Sequence, residues 1–279
     1  MNIMEFLVLS DIHDNWAHLD EILDMAHKVT GVIFLGDIMQ TRIFSSESRD
    51  NLRRIYDISK WMVAVPGNGA VPEVIDFLNE LSINVHGTSK QIDEIGFFGV
   101  GGVTDPVGVV LNLRELFREK RHTVIELDSK SIETLNVFGV FVRNGFFEVE
   151  EWSPQQIQEI ERYRSPFEHT EEEVFETLLS GHERIRNLPT RVLLSHVPPY
   201  ELGLNPILPE GVSTGSKAIT QFIHEFHPSL VLSGHYHRDY QFTIGSVPCA
   251  IIPAVKDGLY SILIFEDNTQ QFKITTRMF

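Results

Sequence analysis

Cysteine, basic charge and long apolar runs are the things this chain has least of. A single cysteine, Cys249, in 279 residues leaves no internal disulfide and points to a reducing, cytoplasmic setting. Lys and Arg number 23 against 39 Asp and Glu, a formal net charge of −16. Nucleic-acid polymers are held through Lys and Arg on phosphates, so this balance disfavours them as partners while leaving room for a small phosphorylated molecule. Nowhere do about 18 uncharged apolar residues run together, and the opening FLVLSD is too short for a signal-peptide core and has no basic flank. The expectation is a cytoplasmic protein with no membrane partner; homo-oligomer formation is left open.

What the chain does have is a 42% hydrophobic content, enough for a packed core, arranged in α/β alternation. Phe6 to Leu9 and Val32 to Leu35 read as strands around a helix marked by Leu19, Ile22, Leu23 and Ala26. Trp61 to Val65 is a further strand, followed by a helical stripe through Val71, Val74, Ile75, Leu78 and Leu81. The stretch GFFGVGG, Gly96 to Gly102, does not have dinucleotide-binding spacing and reads as a structural turn. From about 105 to 188 the character changes: Glu148 to Glu183 holds eleven acidic residues against two arginines, with stripes such as Val174, Leu178 and Ile185. This predicts a helical insertion, 105–188, with a solvated acidic face, inside one domain spanning 1–279. Alternation resumes with Arg191 to Leu194, a helix over Ala218, Ile219, Phe222, Ile223 and Phe226, and the strand Leu230 to Ser233. Four runs, Tyr240 to Ile244, Val247 to Ile252, Leu259 to Phe265 and Phe272 to Thr276, read as antiparallel strands.

Five times an apolar strand-like run ends in a small or turn-forming residue and then a side chain able to bind metal: FLVLSDIH, VIFLGD, VAVPGN, VLLSH and LVLSGHYH. In open α/β sheets ligands gather beyond the carboxyl ends of strands, so Asp11, His13, Asp37, Asn68, His196, His235 and His237 are expected to converge. Imidazoles with carboxylates suit divalent Mn, Fe or Zn, and a bridging carboxylate suits two ions about 3.5–4 Å apart, the arrangement used for phosphate-ester hydrolysis. In Asp11-x-His13 and His235-x-His237 alternate residues of an extended segment point the same way, so each pair can aim at one ion.

The order DIH, LGD, GN, SH, GHYH resembles the calcineurin-like metallophosphoesterase superfamily, across Asp11 to His237. DIHDNWAHLDEIL, SHVPPY and the GS-x-A-I-x-x-F-I stretch at Gly215 to Ile223 are similar to its small phosphodiesterase-like branch. The resemblance implies a four-layer α/β/β/α sandwich of two mixed sheets flanked by helices, with two divalent metal ions at its edge. Carried over by position, Asp11, His13 and His237 would hold one ion, Asn68, His196 and His235 the other, and Asp37 would bridge them. A metal-bridging hydroxide is the implied nucleophile. Asn15 follows Asp14, where that branch has Gly; it is equally placed to touch a substrate phosphate or to cap the next helix.

Most of the superfamily carries a histidine after the Asn, where this chain has Gly69. General acid catalysis contributes about 10²- to 10⁴-fold, so a site without it is expected to favour phosphodiesters, cyclic nucleotides included, over alkyl monoesters. His122 and His169 are candidate donors in the insertion. A non-catalytic scaffold of the same fold, and a nuclease, are the alternatives; seven retained ligands argue against the first and the acidic balance against the second. Arg42 reads as a solvated charge; His18, His27, His224 and His227 as packing or surface histidines; Arg238 and Asp239 as possible partners of the ligand imidazoles; Cys249 as a small core residue.

Overall fold

In the strand Ile3–Leu9 (β1) nearly every residue is buried, on both faces, because alternate side chains enter two different cores. The computed structural model describes residues 3–40, 43–104, 140–143, 146–149, 153, 168–201, 215–266 and 271–279. Phe6 and Val8 point between two sheets, while Leu7 and Leu9 point outward under helices. Two-sided burial explains why these strands read as unbroken apolar runs.

The elements after β1 are α1 (Leu19–Lys28), β2 (Gly31–Phe34), α2 (Ser46–Ile58), β3 (Met62–Ala64), α3 (Pro72–Glu80), β4 (Ser89–Ile92), β5 (Ile95–Val100) and β6 (Val103–Thr104). Then come β7 (Val140–Arg143), β8 (Phe146–Val149), β9 (Glu168–His169), α4 (Glu171–Glu183), β10 (Thr190–Ser195), α5 (Lys217–Phe226) and β11 (Leu230–Ser233). Strands β12 (Tyr240–Ile244) and β13 (Val247–Ile251), a short turn of helix at Val255–Asp257, β14 (Leu259–Glu266) and β15 (Gln271–Met278) complete the chain.

One mixed sheet has the order β15-β14-β1-β2-β3 and the other β12-β13-β11-β10-β5-β4. Phe6, Val8, Ile33 and Val63 of the first meet Phe97, Val192, Leu194 and Leu232 of the second in the central core. The outer face of the first sheet packs under Ile22 of α1, Leu52 and Ile55 of α2, and Val74 and Phe77 of α3. That of the second packs under Val174 and Leu178 of α4 and Ile219 and Phe222 of α5. The layers are therefore helices, sheet, sheet, helices, as the resemblance implied. Each fully buried Leu, Ile or Phe contributes about 1.5–3 kcal/mol, so this double core dominates stability.

Strands β1, β2 and β3 run parallel in the first sheet, and β5, β10, β11 and β13 run parallel in the second. Their carboxyl ends gather on one edge. The four C-terminal runs are strands, as read, but they divide between the sheets: the β12–β13 hairpin closes the second and β14–β15 the first. GFFGVGG is not a turn; most of it is strand β5, and its glycines permit close packing. A Cβ on Gly96 would meet Ile185 and Leu188 side chains at 2.7 and 2.8 Å, and one on Gly101 would meet Pro66 Cγ at 2.2 Å. Helix α2 was not anticipated, because its buried stripe is only Ser48, Asn51, Leu52 and Ile55 among charges.

Within 105–188 the described elements are the β7–β8 hairpin, β9, which pairs with β6, and α4. Most of the segment read as an insertion lies outside the described residues, as do His122 and Arg42. Helix α4 opens with a capping box between Thr170 and Glu173, and Glu171 accepts from Ser216 Oγ (2.6 Å), Lys217 N (3.0 Å) and Ala218 N (2.8 Å) at the start of α5. Among the described residues no helix is long and apolar enough to cross a membrane.

Candidate metal centre

The loops leaving the parallel strands bring the predicted side chains to one place, and they do so with uncommon backbone. Asp11, His13, Asp14, Asp37, His235 and His237 all have φ between 49° and 69°, in the left-handed region that L-residues avoid. Such conformations cost on the order of 1 kcal/mol or more each and concentrate where a site over-determines them. The loops are held by main-chain bonds: Asp11 N to Gly36 O (3.0 Å), His13 N to Asp37 O (3.0 Å) and Gly234 N to His196 O (3.0 Å). A Cβ on Gly67 would lie 1.9 Å from Asp37 Oδ1, so only glycine lets the third loop pass against the second.

Around Asp11, His237 Nε2 lies 3.2 Å and His13 Nε2 3.7 Å from Oδ1, and the two Nε2 atoms are 3.2 Å apart. Around Asp37, His196 Nε2 lies 3.5 Å and His13 Nε2 3.8 Å from Oδ2. His196 Nε2 is also 2.8 Å from Asn68 Oδ1, and the His235 ring stands 5.1 Å from that of His196. Two groups, Asp11 with His13 and His237, and Asp11 with Asp37 and His196, could each hold a cation. His196 Nδ1 donates to Leu35 O at 2.7 Å and His13 Nδ1 to Met39 O at 3.2 Å, which turns Nε2 of both rings toward the centre. Lone pairs and carboxylate oxygens converging at this range fit divalent cations, whose charge would replace mutual repulsion.

Asp11 is fully buried; burial alone would raise its pKa, but bonds with His13 and His237 and the charge of His196 hold it well below the usual range. Its Oδ2 accepts from Ser10 Oγ and from His235 N (3.0 Å). Burial opposes charge on His196 too, yet Asp37 beside it raises its pKa to about 9. Burial, with the His196 charge added, pushes His235 down to about 4. Asp37 Oδ1 accepts the Gly69 N–H at 3.1 Å.

Asn15 lies beside this group rather than within it: Nδ2 donates to Lys256 O at 3.0 Å and Oδ1 accepts from Ala17 N at 3.3 Å, a turn ahead of α1 rather than a cap on it. Asp14, unplaced from sequence, accepts from Gln40 N (2.8 Å) and Ser48 Oγ (2.6 Å) and ties the second loop to α2. His18 stacks on Phe279 at 4.7 Å, and His27, His224 and His227 are exposed on or beside helices. Arg238 lies over the Tyr240 ring at 4.5 Å, and Cys249 is buried with its thiol pushed up to about 12. His169 sits against His86 (ring centroids 5.2 Å), whose Nδ1 accepts from Gly101 N at 3.0 Å near Pro66. No sequence signal singled out His86.

A carboxylate- and imidazole-lined centre on the strand-end edge of an α/β/β/α sandwich is an arrangement suited to holding divalent cations. The chain belongs to the calcineurin-like phosphoesterases, whose family model matches residues 4–239. It is 24% identical over 192 residues to an uncharacterized protein, MJ1162, of Methanocaldococcus jannaschii; the match covers 67% of this chain and 62% of that protein. Among solved structures it is similar to TT1561 of Thermus thermophilus, with TM-score 0.63 and 15% identity over 98% of this chain and 99% of that one. It is also similar to the phosphopantetheinyl hydrolase of Mycobacterium tuberculosis, with TM-score 0.51 and 12% identity over 89% of each chain. At these identities the structural likeness concerns the fold.

Proposed function

We propose that the chain is a metal-dependent phosphoesterase preferring small phosphodiesters, cyclic nucleotides among them, to alkyl monoesters. The convergence of His13, His196 and His237 Nε2 on Asp11 and Asp37 oxygens carries the reading. Asp11, His13 and His237 would hold one divalent ion, Asn68, His196 and His235 a second, and Asp37 would lie between them. When bound, such ions lower the pKa of water to about 7 and neutralise phosphoryl charge.

The chain's own contribution is placement. Leu35 O and Met39 O fix the imidazole tautomers, and Gly69 N–H orients the Asp37 carboxylate. At position 69 there is no side chain to donate a proton to a departing alkoxide, which disfavours poor leaving groups by about the 10²- to 10⁴-fold that general acids supply.

The test is metal analysis, followed by Mn-supplemented hydrolysis of bis-p-nitrophenyl phosphate and p-nitrophenyl phosphate, with Asp37→Asn as control. Diester turnover exceeding monoester turnover and lost in the control is expected. Faster monoester cleavage overturns the substrate preference; no metal and no turnover with any divalent ion overturns the enzyme.

A further inference from the structure

Between β13 and β14 the chain crosses from one sheet to the other, and this crossover, Ile252 to Gly258, runs beside the metal loops. Ile252 N donates to Ser233 O (2.7 Å), Val255 N to Ser10 O (2.8 Å) and Lys256 N to Asp11 O (3.2 Å). The Lys256 carbonyl accepts from Asn15 Nδ2 at 3.0 Å. The main chain of Lys256 is thus clamped on both sides, by Asp11 and by a residue two positions past His13.

Lys256 is half-buried, whereas its neighbour Asp257 is exposed. Among the described residues its ammonium has no ion pair, hydrogen bond or ring contact, although acidic side chains outnumber basic ones in the chain. The Asp11, Asp37 and Asp14 carboxylates of the metal loops are already engaged: Asp11 with His237, Ser10 and His235 N, Asp37 with Gly69 N and the imidazoles, Asp14 with Ser48 and Gln40. A lysine stem spans about 6 Å from its Cα, so from this anchored main chain the ammonium can reach the mouth of the Asp11–His13 side.

We propose that Lys256 binds a phosphoryl oxygen of the substrate from the Asp11–His13 side, with Asn15 holding the crossover in place. The proposal rests on the phosphoesterase reading for the identity of its anion. Lysine serves phosphate as a compact point charge, and here it would add the cationic group that this chain's third loop lacks.

The experiment measures inorganic phosphate binding by calorimetry on Mn-loaded wild type, Lys256→Gln and Lys256→Arg, together with bound metal, thermal midpoint and KM for bis-p-nitrophenyl phosphate. The Gln variant is expected to bind phosphate about tenfold more weakly and to show a raised KM, with metal content and midpoint unchanged and Arg restoring most of the loss. Equal phosphate affinity in wild type and Lys256→Gln, no phosphate binding in wild type, or loss of metal from the Gln variant overturns the assignment. Weakened phosphate binding in a protein that hydrolyses neither ester upholds the anion contact and overturns the phosphoesterase reading instead.

Discussion

Replacing Gly69 by histidine tests whether the shape of the third loop sets what can be cleaved. The position accepts a side chain: a Cβ there would have Asp37 Oδ1 at 3.6 Å and Met39 O at 4.0 Å as its nearest neighbours, ordinary contact distances, and Gly69 is not among the residues with positive φ. The main-chain N–H that orients Asp37 is kept, so the variant should fold and retain metal. A general acid is worth about 10²- to 10⁴-fold, or about 2.7–5.4 kcal/mol at 1.36 kcal/mol per decade. A newly introduced acid is not tuned to its task, so the expected gain is set at the lower end, about 10²-fold, and only for esters whose leaving alkoxide needs a proton. The assay is kcat/KM for aryl and alkyl phosphodiesters and monoesters spanning leaving-group basicity, with Gly69→Ala as the control for bulk. A gain confined to basic leaving groups, flattening the dependence on leaving-group pKa, is expected. No change, or equal acceleration of good and poor leaving groups with metal retained, refutes the reasoning.

Two further outcomes follow from packing and titration. Gly67→Ala sets a Cβ 1.9 Å from Asp37 Oδ1 and 2.2 Å from Asp37 N, so it should lose bound metal and cost about 1–3 kcal/mol in thermal or urea unfolding; full metal content would contradict the close approach of the two loops. Burial, reinforced by the charge of His169, draws His86 down to about 4. The unfolded chain, with a histidine near 6.5, therefore takes up a proton between pH 6.5 and 4 that the folded chain refuses. Stability from this group is complete above about pH 6.5 and falls by about 1.4 kcal/mol per unit towards pH 4, up to about 3 kcal/mol in all. Urea unfolding at pH 7, 5.5 and 4.5 should show His86→Gln losing less than wild type; parallel losses would assign the acid sensitivity elsewhere.

Much of the site was legible because metal chemistry restricts residue types at strand ends, and the fold places those ends together. Asp11, His13, Asp37, Asn68, His196 and His237 lie within a few ångströms of their neighbours in the centre, with His235 packed on His196. Periodicity likewise marked α1, α3 and α5, whose apolar stripes are regular. Helix α2 escaped because burial there rests on Ser48 and Asn51 as well as two aliphatics, although Ser45, accepting from Ser48 N, was a readable cap. Strand β5 was misread because Gly96 and Gly99 suit a turn locally; what fixes them is contact with Ile185 and Leu188 after α4 and with Leu194 of β10, which is not local information. The partition of β12–β13 and β14–β15 between sheets was equally invisible, since both hairpins alternate alike. Lys256 and His86 are placed by the crossover and by β5, and no motif surrounds either.

The centre draws on both sheets, with Asp11, Asp37 and Asn68 following strands of one and His196, His235 and His237 following strands of the other. Asp11 and His237, 3.2 Å apart in space, are 226 positions apart in the chain. During synthesis the carboxylate half is made first and the imidazole half near the end. The early half already holds a mixed set, the His13 imidazole with the Asp11 and Asp37 carboxylates, and the remaining imidazoles join it only when the second sheet docks on the first. A cation held by ligands from both halves would fasten the sandwich across its seam.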